Sequence, residues 1–210
     1  MALFEELRES VVDGHAKVAV AKVSEGLDGG IEAGTLLREG LIAGMAQVGR
    51  LYEEGEIFVP EMLVAARAMT AALSVLKPYL VEEGVASSGK VAIGTTQGDL
   101  HDIGKNLVAM MLEGSGYEIV DLGVDVPADK FIQAIKDGAD VVAMSALLTT
   151  TMTNMQVAIE AITEAGLRDQ VRIVVGGAPI TKSYADEIGA DGYAEDASSA
   201  VRLVREVLAR

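Results

Sequence analysis

The chain of 210 residues contains no cysteine, no tryptophan and only two histidines. Without cysteine, a disulfide framework, a zinc ribbon, an iron–sulfur cluster and a thiol nucleophile are all excluded. Basic residues are also few, 17 against 32 acidic ones, so the formal net charge is −15. Because contacts with phosphates require clustered Lys and Arg, this balance argues against a nucleic-acid partner.

Long uncharged apolar runs are missing as well. The N-terminal segment MALFEELRESVVDG places acidic residues among its apolar ones, which is not the pattern of a signal peptide. No run of about 18 uncharged apolar residues is present, so no transmembrane helix and no membrane partner are expected. Half of the residues are hydrophobic, enough for one large or two small domains. We expect a cytoplasmic globular protein.

The two halves of the chain differ in their hydrophobic periodicity. Residues 1–83 carry apolar residues at helical spacing, punctuated by glycines, which predicts an N-terminal four-helix bundle. Small residues dominate 84–89 and indicate a linker. The predicted domains are therefore 1–88 and 89–210.

Short apolar strands alternate with helices after the linker. The predicted strands are 90–95, 117–123, 141–146, 172–177 and a short edge strand at 191–194. The predicted helices are 104–115, 128–137, 152–166, 180–188 and 197–209. Continuous apolar strands separated by helices are typical of a parallel sheet covered on both faces. We therefore predict an α/β fold, a Rossmann-like (flavodoxin-like), doubly wound, five-stranded parallel sheet that binds its ligand at the carboxyl ends of its strands.

The glycine-rich loop at 94–106 follows the first strand, where such a fold places its ligand. A phosphate site is the first candidate, but the GxGxxG pattern is absent. A P-loop requires four residues between its first Gly and its GK[ST], whereas five separate Gly98 from Gly104, and Asn106 replaces Ser or Thr. The loop is therefore a poor fit for a nucleotide.

His101 is the more informative residue of this loop, because Asp99 and Asp102 flank it. A carboxylate that accepts one ring N–H fixes the tautomer and makes the other nitrogen a better metal ligand. The alternative is a solvated loop histidine, or one held by a local hydrogen bond. The Asp-x-His pattern alone favours that alternative.

The spacing of two later motifs changes the interpretation of His101. DLHDIG at 99–104 is followed by Ser145-Ala146-Leu147 and then by Gly176-Gly177. Together they match the DxHxxG … SxL … GG signature of cobalamin-binding domains. The segment 91–127 closely resembles the corrinoid module of cobalamin-dependent methionine synthase. It is also similar to the small corrinoid proteins of methanol, methylamine and methoxyarene methyltransferase systems.

The resemblance implies a role for each matching residue. His101 would be the lower axial ligand of the cobalt in place of the benzimidazole base of the cofactor. Asp99 would hydrogen bond to His101, and Thr151 would stand where the family has the serine that ends this relay. The other residues placed around the cofactor are Gly98, Leu100, Asp102, Ile103, Gly104, Ser145, Leu147, Thr149, Gly176, Gly177, Tyr193, Ala194 and Ala197.

The helical half also carries the resemblance. The segment 50–62 is similar to the cap over the upper cobalt face in the methionine synthase module. Tyr52 and Val59 fall where that family places apolar residues over the methyl ligand. Tyr52 fits the core of the bundle equally well, and Phe58 and Met62 compete for the capping role. The linker would be the hinge for movement of the cap.

The resemblance implies a non-catalytic corrinoid subunit that carries methyl groups in one-carbon metabolism. Its cofactor would be cobalamin or a related corrinoid, with its cobalt, as methylcobalamin, cob(I)alamin or cob(II)alamin. The implied partners are a substrate-specific methyltransferase, a second, acceptor methyltransferase and a reductive activase. The alternatives are an adenosylcobalamin-binding regulator or light sensor, and the cobalamin subunit of a radical mutase. The acidic balance and the absence of a preceding DNA-binding domain weigh against the regulator.

Overall fold

A computed structural model describes residues 2–85 and 87–209. The chain forms two compact units. One comprises Met1–Ser87 with Glu113–Gly116, and the other comprises Ser88–Leu112 with Tyr117–Arg210. The predicted hinge at 84–89 includes residue 86, which lies outside the described residues.

The first unit contains the predicted four-helix bundle. Its helices are α1 (Ala2–Val12), α2 (Ala16–Asp28), α3 (Ala33–Thr35), which runs through a π-helical segment (Leu36–Ile42) into α4 (Ala43–Glu53), and α5 (Val59–Glu82). The chain turns between α1 and α2 at Gly14, whose φ of 70° lies in the left-handed region that favours glycine. Leu7, Leu41, Met45 and Met69 are among its fully buried side chains.

Helix α5 is long and apolar enough to cross a membrane by length and composition alone, a property we expected of no segment. The expectation considered runs without charge, whereas α5 reaches this length with Arg67 and Lys77 inside it. Its buried residues include Met62, Met69 and Leu76, which recur at helical spacing. The core helix of a bundle has this same pattern, so α5 by itself is weak evidence for a membrane span.

The second unit is the predicted five-stranded parallel sheet, in the order β2-β1-β3-β4-β5. Its strands are β1 (Lys90–Thr96), β2 (Glu118–Val126), β3 (Val141–Ser145), β4 (Arg172–Gly176) and β5 (Gly192–Ala194). The connecting and final helices are α6 (Ile103–Gly114), α7 (Ala128–Lys136), α8 (Thr149–Glu164), α9 (Lys182–Glu187) and α10 (Ala197–Leu208). The strand order reverses between β1 and β3, which places the ligand crevice of such a fold at their carboxyl ends.

Both faces of the sheet are buried, as the apolar strands predict. On one face Val142 and Ile173 pack with Phe131 and Met155. On the other face, Val91, Val141 and Val174 pack with residues that include Leu112 and Val204. Because neighbouring residues of a strand point to opposite faces, two helical layers require apolar side chains at every position.

Two element boundaries differ from the predicted ones in ways that matter for the site. Helix α8 begins at Thr149 rather than at 152, because the carboxylate of Asp99 binds backbone N–H groups just before it. Strand β2 continues to Val126 rather than ending at 123, with register shifts against β1 near its end. Both differences come from contacts between residues distant in sequence.

Candidate functional site

The loop that carries His101 connects β1 to α6 at the carboxyl edge of the sheet. At the start of the loop, Gly98 has a φ of 83°, so a side chain there would be strained. The hydroxyl of Thr95, at the end of β1, donates to the carbonyl of His101 at 2.9 Å. Asn154 of α8 donates to the carbonyl of Gln97 at 2.7 Å. The loop is therefore held from its own strand and from a helix that follows β3.

Asp99 is the centre of this site and is fully buried. One carboxylate oxygen, Oδ1, accepts the backbone N–H of His101 at 3.0 Å and lies 2.7 Å from its ring Nδ1. The other, Oδ2, accepts the hydroxyl of Thr151 at 2.6 Å and the N–H groups of Leu147 and Leu148 at 2.8 and 3.4 Å. The structure therefore brings together the three residues of the predicted relay.

These contacts keep the Asp99 carboxylate ionised. Burial alone would raise its pKa, but the hydrogen bonds from the Thr151 hydroxyl, from Leu147 and from His101 together hold the pKa well below its usual range. The carboxylate also lies at the N-terminus of α8, where the helix dipole favours a negative charge. Asp99 is therefore an acceptor only, and Nδ1 of His101 must donate the proton between them.

The imidazole of His101 is oriented but open to solvent. Its side chain is 53% exposed although its partner Asp99 is fully buried. Its other ring nitrogen, Nε2, makes no hydrogen bond within the part of the chain that the structure describes. With the proton on Nδ1, the neutral ring presents the lone pair of Nε2 outward, as a metal ligand must.

Exposed apolar side chains belong to the loop of His101 and to the segment whose N–H groups bind Asp99. Leu100 is 71% exposed, Ile103 is 83% exposed, and Leu147 and Leu148 are each 43% exposed. Several large exposed apolar residues in one place are the pattern of a binding surface. The edge of the sheet therefore offers a single nitrogen ligand within an apolar surface, which suits a large cofactor with apolar faces.

The glycines of the predicted motifs differ in how much space surrounds them. A Cβ on Gly177 would overlap the backbone of Ala146, and one on Gly176 would lie 3.0 Å from the carbonyl oxygen of Ala194. At Gly104 nothing lies within 4 Å of an added Cβ. Gly104 also sits in the first turn of α6, where Ala is more stable than Gly. The protein itself therefore explains Gly176 and Gly177, whereas Gly104 leaves room that a ligand would fill.

The remaining predicted residues lie at the ends of the other strands. Ser145 ends β3, Thr149 begins α8, Tyr193 and Ala194 belong to β5, and Ala197 begins α10. Asp102 differs from these, because its carboxylate accepts the side-chain amide of Asn106 within the loop and first turn of α6.

The two predicted cap residues belong to the other unit. Tyr52 lies near the end of α4 and Val59 at the start of α5. Val59 is 38% exposed and the neighbouring Phe58 is 66% exposed, whereas Met62 is fully buried in the bundle. Of the competing apolar residues, Met62 is therefore the one committed to the core.

Sequence reasoning missed an ion pair beside the loop, formed by a buried lysine and an exposed aspartate. Nζ of Lys105 lies 2.7 Å from a carboxylate oxygen of Asp121 on β2, and the Lys105 side chain is only 2% exposed. Burial alone would raise the pKa of Asp121, but the Lys105 ammonium lowers it. Lys105 also donates to Asn106, which in turn holds Asp102. The consecutive Gly104-Lys105-Asn106 was visible in the sequence, but it was tested only as a P-loop.

The fold and this site together define a cobalamin-binding domain preceded by a helical bundle. Residues 89–202 and residues 3–77 each match a family described as B12 binding domain. The chain belongs to this family of B12-binding corrinoid proteins, and the resemblance predicted from the three motifs is confirmed.

Several corrinoid proteins match this chain over nearly its whole length. A corrinoid protein of Desulfitobacterium hafniense is 38% identical, with 100% of this chain and 99% of that protein covered. Dimethylamine corrinoid protein 1 of Methanosarcina acetivorans is 44% identical, with 99% and 98% covered. Among solved structures, a chain of the methanol:cobalamin methyltransferase complex of Methanosarcina barkeri is 28% identical, has a TM-score of 0.88, and matches over 99% of this chain and 80% of that one.

Proposed function

We propose that this protein binds a cobalamin or related corrinoid with His101 as the lower axial ligand and carries methyl groups between methyltransferases. The observation that carries the proposal is the pair formed by the buried, ionised Asp99 and the half-exposed ring of His101. This pair leaves one ring nitrogen available at the edge of the sheet where a doubly wound fold binds its ligand.

The residues present fit a corrinoid. A corrin ring brings its cobalt already held by four nitrogens, so the protein needs to supply only one ligand. In the described part of the chain, no group of three or more His, Asp or Glu side chains could hold a metal ion by itself. Leu100, Ile103 and Leu147 would cover the lower face of the ring, and the open space at Gly104 would admit it.

The hydroxyl and glycine residues beyond the loop would hold the displaced nucleotide tail. Ser145 and Thr149 are placed at the end of β3 and the start of α8, at the carboxyl edge of the sheet. Gly176 and Gly177 keep the end of β4 free of side chains where the backbones of Ala146 and Ala194 approach closely, and the tail would pass close to this bare backbone. Tyr193, Ala194 and Ala197 would complete the wall around the tail.

When bound, the cofactor supplies a cobalt that accepts a methyl group from one molecule and gives it up to another. The task of the protein is to set the position and the protonation of His101. As a ligand, His101 would donate its Nδ1–H to Asp99, and this hydrogen bond would fix the tautomer that leaves Nε2 without a hydrogen. The ionised Asp99, which also accepts the Thr151 hydroxyl, would hold the ring of His101 in place whether or not Nε2 binds a metal.

The relatives support methyltransferases as partners. A dimethylamine corrinoid protein and a chain of a methanol:cobalamin methyltransferase complex favour a methyl carrier over the regulator and the mutase subunit. We therefore propose a substrate-specific methyltransferase as donor partner, a second methyltransferase as acceptor, a reductive activase, and a cytoplasmic location without membrane or nucleic-acid partners.

The domain limits and the cap remain part of this proposal. The bundle at 1–88 would cover the upper face of the cofactor bound by 89–210, with Tyr52 and Val59 nearest the methyl group. The linker at 84–89 would open to admit each partner. Limited proteolysis of the linker that accelerates when a methyltransferase is added would support this movement, and equal protection with and without the methyltransferase would contradict it.

The test of the axial ligand is the absorbance spectrum of the protein reconstituted with methylcobalamin. His101→Ala should convert the spectrum from the histidine-bound to the base-off form. The chain offers a matched control, because its only other histidine is His15, an exposed residue that precedes α2. His15→Ala should leave the spectrum unchanged. A His101→Ala spectrum identical to that of the unmodified protein would overturn the ligand assignment.

A further inference from the structure

Strand β2 is irregular at the end that faces the His101 loop. Its pairing with β1 shifts register between Ile93 and Gly94 and again between Gly94 and Thr96. Each shift leaves extra β2 residues outside the regular ladder. Such bulges bend a strand and redirect a side chain, and they occur next to functional sites.

Asp125 is the residue that this irregularity redirects. It has a φ of 53°, and it is the only non-glycine residue with positive φ among the described residues. Asp adopts this left-handed conformation more readily than most residues, but it still costs free energy relative to an ordinary strand conformation. Its side chain is exposed, so burial of Asp125 does not offset this cost.

The contacts of Asp125 explain what holds it there. Its carboxylate oxygen Oδ1 accepts the backbone N–H of Gly98 at 2.7 Å. Its own backbone N–H donates to the carbonyl oxygen of Asp99 at 3.0 Å. Asp125 therefore makes one hydrogen bond to Gly98 and one to Asp99, two consecutive residues of the loop. The bulged conformation of β2 allows both.

The second of those residues carries the carboxylate that orients His101. Asp99 must reach His101 with one oxygen and the N–H of Leu147 and the hydroxyl of Thr151 with the other. The hydrogen bond from Asp125 already fixes the backbone of Asp99. The Asp99 side chain therefore loses less conformational entropy when it makes these contacts.

We propose that Asp125 is a positioning residue, which acts through Asp99 to hold His101 in the orientation that binds the cobalt. This inference rests on the proposed function of His101. It predicts that loss of the Asp125 side chain lowers the ratio of histidine-bound to histidine-free cofactor, although the hydrogen bonds of Asp125 go to Gly98 and Asp99 and not to the His101 ring.

The test compares Asp125→Asn with Asp125→Gly in the full chain. Asn keeps an acceptor oxygen and tolerates positive φ, whereas Gly relieves the strain and removes the acceptor. With methylcobalamin bound, the Gly variant should lower the ratio of histidine-bound to histidine-free spectra about fivefold, the equivalent of one hydrogen bond. The Asn variant should stay close to the unmodified protein.

A second measurement needs no cofactor. Hydrogen exchange of the Leu147 amide reports on Asp99, because that amide donates to the Asp99 carboxylate. In the cofactor-free Asp125→Gly protein this amide should exchange about fivefold faster, while the amides of β4 keep their rates. An equal acceleration of β4, or no acceleration at Leu147, would overturn the positioning role.

The two measurements separate the two levels of the account. If the unmodified protein shows no histidine-bound spectrum, the proposed function fails, and the Leu147 amide still decides whether Asp125 positions Asp99. If the unmodified protein binds the cobalt through histidine but Asp125→Gly changes neither readout, only the inference about Asp125 is wrong.

Discussion

Replacing Thr151 by Val should weaken the protein through one defined hydrogen bond. Val has the shape of Thr but lacks the hydroxyl, and Thr151 is only 6% exposed, so water cannot easily replace the lost donor. The hydroxyl lies 2.6 Å from the Asp99 carboxylate, and hydrogen bonds to charged groups contribute about 1.5–3 kcal/mol. Because Leu147 and Leu148 still donate to the same oxygen, we expect a loss of about 2 kcal/mol, within that range.

Urea unfolding at neutral pH measures this loss as the difference in free energy of unfolding. Two variants calibrate it. Thr151→Ser keeps the hydroxyl and loses a methyl group, so its loss should be about 1 kcal/mol. Thr153→Val removes an exposed hydroxyl of the same helix, whose bond to the Thr150 carbonyl is 3.3 Å long, and should stay within about 0.5 kcal/mol of the unmodified protein. A Thr151→Val protein as stable as Thr153→Val would refute the reasoning.

Two further predictions concern the pH dependence of stability and the role of Gly104. The pKa of Asp99 is lowered on folding, so its contribution to stability is complete above the ordinary value of 3.8 and is lost as pH falls. The unfolding free energy of the unmodified protein relative to Asp99→Asn should therefore shrink by about 1 kcal/mol between pH 6 and pH 3. Gly104→Ala should raise the stability of the cofactor-free protein by about 0.5 kcal/mol, measured by urea unfolding, but weaken cobalamin binding, measured by titration.

Each of these two predictions has a result that would contradict it. A constant difference between the unmodified protein and Asp99→Asn over that pH range would mean that the pKa of Asp99 is not lowered. Gly104→Ala binding cobalamin with unchanged affinity would mean that the open space at this position does not face the cofactor.

The periodicity of the sequence was sufficient for the architecture. Apolar runs such as Val141–Ser145 were identifiable as strands because helices on both faces require every position to be apolar. The helical spacing in the first half likewise predicted the bundle. The start of α8 was misplaced because its first turn is stabilised by Asp99, about 50 residues earlier in the chain.

The site could be predicted only where side chains carry its chemistry. His101, Asp99 and Thr151 were predicted through the family resemblance that the three motifs carry, and the structure places them in hydrogen-bond contact. The N–H donors of Leu147 and Leu148 could not be found, because backbone groups leave no trace in residue type. The hydrogen bonds between Asp125 and the loop depend on register shifts between β1 and β2, which no local sequence pattern encodes.

The central claim, that a nitrogen of this protein binds the cobalt, can be tested with isotopes. Protein carrying ¹⁵N-labelled histidine would be reconstituted with unlabelled cobalamin and reduced to the paramagnetic cobalt(II) state. If His101 is the ligand, ¹⁵N should split each cobalt hyperfine line of the electron paramagnetic resonance spectrum into a doublet. His15→Ala should preserve this doublet. A triplet from ¹⁴N would show that the base of the cofactor remains bound, and would contradict the account.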